Sequence, residues 1–206
     1  SSKTREWSDF ALLCLVLVIG VPYVFSAEYK NGMINLIRTT KNGKTKLFFR
    51  KIVVEFIYLL IAFTALYVPY FVRFINTYGV NSLNTPLVCI FENVQETSFS
   101  VINAVVLNLV CYFLLATAVT SVITAVSIFS RNSMFTMVIS TVLVIIPLLA
   151  LNPIENVRIG YWVVNSHIIA IVMTCLLSIL IAIVTLEISK LKFTETRIWR
   201  RINAEA

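Results

Sequence analysis

Five long apolar runs, parted by short polar segments, set the pattern of this chain: residues 8–26, 52–74, 99–129, 134–151 and 166–189. Each run is continuously apolar and about as long as the roughly 20 residues that carry a helix across a hydrocarbon core. A closed barrel would show shorter segments of alternating polarity. The pattern therefore predicts an all-α fold, a polytopic transmembrane helical bundle with five spans in one domain covering residues 1–206. No run repeats another, and no segment is of low complexity.

Two runs carry polar stripes. In the third, Thr117, Thr120, Ser121, Thr124 and Ser127 fall within about one third of the helical circle at 3.6 residues per turn. In the fifth, His167, Thr174, Ser178 and Thr185 lie nearly in line. Small hydroxyl residues in such stripes either pack helices closely or line a path between them. Asn103 and Asn108 lie off the stripe and are expected to hydrogen-bond within the bundle.

The segment between the first two runs, 28–51, has its own pattern. Read as a helix over 28–38, it places Tyr29, Met33, Leu36 and Ile37 on one face, at offsets of four, seven and eight. Glu28 at its start favours the helix dipole. Thr39-Thr40 and Asn42-Gly43 end it, and a second helical stretch from Thr45 to Lys51 leads into the second run. This describes a short helix held across one membrane face between two spans. It is either an element that a partner grips or an amphipathic helix resting on lipid.

Charge orients the chain. Thirteen Lys and Arg fall in 27–51, 130–133 and the tail 190–206, against four (Lys3, Arg5, Arg73 and Arg158) on the other side. By the positive-inside rule, the segment 27–51 and the basic tail are cytoplasmic, and the chain reads as a multi-pass membrane protein. Tyr67, Tyr70, Tyr161 and Trp162 then mark an outer aromatic belt. This orientation starts the chain outside, so an upstream span is expected, making six with both ends in the cytoplasm. The net charge of +7 sits mainly in these cytoplasmic segments, where anionic lipid accounts for it without nucleic acid. A composition 59% hydrophobic and 13% charged excludes a water-facing surface.

Candidate chemistry is sparse. Gly43-Lys44-Thr45 resembles the end of a phosphate loop, but Arg38 stands where that loop needs its first Gly. His167 is the sole histidine and has no carboxylate or cysteine near it in sequence. Cys14, Cys89, Cys111 and Cys175 show no C-x-x-C spacing and read as packing residues. Glu55 lies four residues after Lys51, and Glu187 three before Lys190, so each can pair at the inner interface. These residues supply no catalytic group, no metal site and no cofactor site, so the chain is not expected to be an enzyme.

Ser26-Ala27-Glu28-Tyr29-Lys30-Asn31-Gly32-Met33, then Leu36-Ile37-Arg38-Thr39-Thr40 and Gly43-Lys44-Thr45-Lys46-Leu47 leading to Lys51, resembles the cytoplasmic loop of type-2 ABC transporter permeases. Elsewhere the resemblance is one of topology. It implies a permease subunit of a bacterial ABC exporter, with ATP and Mg bound by a separate ATPase subunit. It also implies a second permease subunit, alike or different. In that family the loop is a coupling helix seated on the ATPase, which places Glu28, Tyr29, Gly32 and Met33 at or near the contact. The implied cargo is hydrophobic, amphiphilic or peptide-like, such as an antibiotic or bacteriocin. A non-transporting scaffold or sensor, whose basic loop binds lipid or a regulatory protein, is the alternative. A secondary transporter is disfavoured by the lack of acidic residues at mid-span.

Overall fold

The structure, a computed structural model, describes residues 5–30, 43–79, 84–86, 100–130, 132–145 and 168–195. Nearly all of these are helical, and none forms a strand. Helix α1 spans Arg5–Lys30, α2 spans Gly43–Tyr78 and α3 spans Val101–Ser130. Helix α4 spans Ser133–Ser140 and continues as a π-helical turn over Thr141–Ile145, and α5 spans Ile168–Glu195. Each predicted run thus falls on a helix, with 99, 146–151 and 166–167 outside the described residues.

Three helical stretches, Lys46–Arg73, Val101–Ser130 and Val172–Lys192, are long and apolar enough to cross a membrane. Phe10–Phe25 and Ser133–Val144 are shorter apolar stretches. Large apolar side chains face outward on these helices. Val53, Val54, Ile57 and Ile61 of α2 are exposed, as are Leu176, Leu177, Leu180, Ile183 and Val184 of α5. Against lipid such faces gain nothing by turning inward, so helix association rests on close packing and hydrogen bonds.

Helix α3 is the hub. Its largest contact is with α5, and it also touches α1, α2 and α4. Cys111 meets Cys175 and Ser121 meets Thr185, both pairs 64 residues apart in sequence, so α3 and α5 run parallel. Helices α1 and α2 run antiparallel, because Tyr58 reaches Val16 while Lys51 reaches Val24. Helices α1 and α2 come close at Gly20, where a Cβ would overlap the ring and hydroxyl of Tyr58. That hydroxyl donates to the Val16 carbonyl at 3.1 Å.

Helix ends follow from local sequence. Helix α2 stops at Gly79, whose φ of 76° suits glycine and whose N–H donates to the Ile75 carbonyl at 2.8 Å. The reversal between α3 and α4 is bonded within itself. Asn132 caps α4 by accepting from the Met134 N–H at 3.1 Å, and Thr136 donates to the Asn132 carbonyl at 2.7 Å.

Different forces hold the two ends of the bundle. Away from the basic end, aromatic rings form a layer: Phe10 stacks on Tyr112 with centroids 5.3 Å apart, and Phe63 stacks on Tyr67 at 4.4 Å. Tyr67 also stacks on Tyr112, at 6.0 Å, and Phe113 meets Phe63 edge-on at 5.3 Å. Tyr67, read from the sequence as part of an outer belt, is half-buried and has stacking partners on α2 and α3. Tyr161 and Trp162 lie outside the described residues, as does the side chain of Tyr70.

Candidate functional site: a buried polar crossing at the basic end

Toward the basic end the interior turns polar. Lys51 and Glu55 stand one turn apart on α2, and both are buried, at 6% and 5% exposure. They share a face with Phe48, Leu59 and Ala62, which are buried too. Lys51 Nζ donates to the Val24 carbonyl of α1 at 3.0 Å and lies over the Phe25 ring, 4.7 Å from its centroid. Phe25, Phe48 and Ile128 close around it as an apolar cluster from α1, α2 and α3. Burying an ammonium group between helices is tolerated because a carbonyl and an aromatic face replace part of its water.

Glu55 points the other way. Its Oε2 accepts a hydrogen bond from Thr124 Oγ1 of α3 at 2.7 Å. Its Oε1 has no hydrogen-bond partner among the described residues. The spacing of Lys51 and Glu55 led us to expect a pair at the membrane interface. Both groups, one turn apart, are buried between helices, where Lys51 bonds to α1 and Glu55 to α3. The second expected pair is present at the surface, where Lys190 and Glu187 lie 3.6 Å apart.

The third-run stripe is buried along most of its length: Thr120, Ser121, Thr124 and Ser127 are all enclosed, and Thr117 is half-buried. Ser127 donates to the Pro22 carbonyl of α1 at 3.3 Å. Thr185 of α5 donates to Ser121 at 2.7 Å, joining the two stripes directly. Ser178 is buried and bonds the carbonyl of Cys175 in its own helix, while Thr174 is half-buried. Ser189, which the sequence pattern did not single out, is fully buried and donates to the Thr185 carbonyl at 2.6 Å. One α3 surface thus meets α2 through Thr124, α1 through Ser127 and α5 through Ser121.

Elsewhere the expectations divide. Asn103 is exposed, and the side-chain carbonyl of Asn108 is buried with no hydrogen-bond partner among the described residues. This corrects the expected bonding of Asn108, whose neighbours along this part of α3 are apolar. Cys111 and Cys175 meet at 3.4 Å between sulfurs, and Cys14 is buried in the core. Glu28 and Tyr29 belong to the last turn of α1. Gly32, Met33, Leu36, Ile37, His167 and Cys89 lie outside the described residues.

Glu55 is the residue whose importance the pattern understated. Its signal was its phase, since residues 48, 51, 55, 59 and 62 recur at intervals of three and four and so lie on one helix face. The arrangement joins helices through directional bonds and places a buried ionisable side chain at each of two joints. No family model, characterised protein or solved structure matches the chain.

Proposed function

We propose that the chain is the membrane-spanning permease subunit of an ATP-driven ABC exporter in a bacterial plasma membrane. ATP is hydrolysed by a separate ATPase subunit, and a second permease subunit completes the translocation unit. The cargo is a hydrophobic, amphiphilic or peptide-like compound. All five apolar helices cross the membrane in this reading, with the basic end in the cytoplasm.

One observation supports this reading beyond the sequence resemblance. The residues that flank the coupling segment belong to two helices fastened together, by Lys51 on Val24 and Phe25 and by Phe25 against Phe48. A load on a segment hung between joined helix ends moves both helices, whereas it would dissipate between independent ones. A helix that merely rests on lipid has no use for that stiffness.

The test is co-purification of an ATPase with the full-length chain from its native membrane. Glu28→Lys and Met33→Asp are expected to abolish the association while leaving the amount of inserted chain unchanged. Retention of the ATPase by both variants would reject the docking assignment. Absence of any ATPase, together with binding of the unaltered chain to anionic vesicles, would favour the scaffold.

A further inference from the structure

Three of the hydroxyls that cross between helices share one property. Each has a carbonyl of its own helix within reach: Thr124 has that of Thr120 at 2.9 Å, Thr185 that of Ile181 at 2.7 Å, and Ser121 that of Ala118 at 2.7 Å. A hydroxyl carries one proton, so Thr124 and Thr185 each divide theirs between a neighbour and their own backbone, while Ser121 donates to its own backbone and accepts from Thr185. Such a group releases its neighbour without stranding a donor.

Glu55 has no such fallback. Its side chain is 5% exposed, Oε1 has no hydrogen-bond partner among the described residues, and Thr124 supplies the bond to Oε2. Separating α2 from α3 would leave a buried carboxyl group without that donor, and an unsatisfied buried group costs far more than an exchanged one. The α2–α3 contact at Glu55 is therefore stiff. The α3–α5 contact at Ser121 and Thr185, hydroxyl to hydroxyl with a fallback on both sides, is soft. One turn toward the basic end, Lys51 ties α2 to α1 through the Val24 carbonyl.

We infer that Glu55 is a positioning residue that binds the α1–α2 hairpin to α3, so that displacement of the 27–51 segment reaches α3 directly and α5 through the softer Ser121–Thr185 contact. The source of that displacement, a partner ATPase, rests on the permease reading. The joint itself does not, and it can be tested in the chain alone.

The experiment measures distances in the full-length chain in phosphatidylethanolamine–phosphatidylglycerol nanodiscs by pulsed electron resonance. Spin labels are carried on an azide-bearing residue, which leaves the native cysteines intact. Labels replace Arg50 on α2 and Leu191 on α5, both exposed, and half-exposed Val126 on α3. The wild-type chain should give one narrow 50–126 distance and a broader 126–191 distance. Glu55→Leu and the milder Thr124→Val should each broaden the 50–126 distribution and leave 126–191 as it was. Thr124→Ser keeps the hydroxyl, and Glu55→Gln keeps an accepting oxygen, so both should retain the narrow distribution. A 50–126 distance that stays narrow in both Glu55→Leu and Thr124→Val would overturn the inference. Equal broadening of both label pairs would also overturn it, since that is general loosening. Failure of an ATPase to co-purify would bear on the permease reading and leave these distances unaffected.

Discussion

Gly20 offers the sharpest perturbation of the bundle. A methyl group there would overlap the Tyr58 ring, so Gly20→Ala must push the ring away from α1 and break its bond to the Val16 carbonyl. Overpacking of this kind costs about 1–3 kcal/mol. The lost hydrogen bond adds about 0.5–1.5 kcal/mol. The better helix propensity of Ala returns about 1 kcal/mol. The balance is a loss of about 2 kcal/mol, which for a chain this long lowers the melting temperature by about 4–8 °C. The assay is thermal unfolding of the full-length protein in detergent. Tyr58→Phe should lose only the hydrogen-bond part, because its ring still fills the same space. Tyr58→Leu lacks the atoms that meet Gly20, so adding Gly20→Ala to it should cost little. A Gly20→Ala variant that melts at or above the wild type would refute the close approach. So would a double variant whose loss equals the sum of the single losses.

Three further outcomes are expected. Ser121→Ala and Thr185→Val should each cost about 0.6 kcal/mol, the average for hydrogen bonds between membrane helices, because both hydroxyls keep bonds to their own helix; a double-mutant cycle in the same melting assay checks this, and a coupling near zero would show that the crossing bond is absent. Copper-phenanthroline should join Cys111 to Cys175 in the full-length chain, since their sulfurs need only close from 3.4 Å to about 2.05 Å; a bridge at Cys14 instead, seen by peptide mass spectrometry, would contradict the α3–α5 register. Asn132→Ala should cost about 1 kcal/mol by removing the α4 cap, and faster amide exchange over 133–137 is the measurement.

Hydrophobic run length made the helices legible, because a hydrocarbon core sets a minimum apolar length. Their ends were less so: α2 runs on to Tyr78, past the apolar run that stops at 74, although its start at Gly43 is close to the helical stretch read from Thr45. The hydroxyl stripes were legible by angle, but which neighbour each hydroxyl meets depends on how α1, α2 and α5 surround α3. Glu55 was read by its charge and its distance from the end of the span, which suggested the interface. Its helical phase, shared with Leu59 and Ala62, carried the correct information. Asn108 had no local signal to distinguish a bonded amide from a stranded one. The π-helical turn at Thr141–Ile145 likewise arises where α4 packs on α1, a contact that no short stretch of sequence records.

The contrast between aromatic and polar contacts along the bundle has a mechanical consequence. Stacked rings such as Phe10 on Tyr112 and Tyr67 on Tyr112 tolerate sliding, and if the helices part there, lipid tails can replace the lost neighbours. The bonds of Lys51, Glu55 and Ser127 are directional, and parting them would leave polar groups facing hydrocarbon. If the chain is the permease proposed above, helix contacts therefore yield more easily at the aromatic end than at the basic end, and a lateral opening toward lipid would begin in the leaflet opposite segment 27–51.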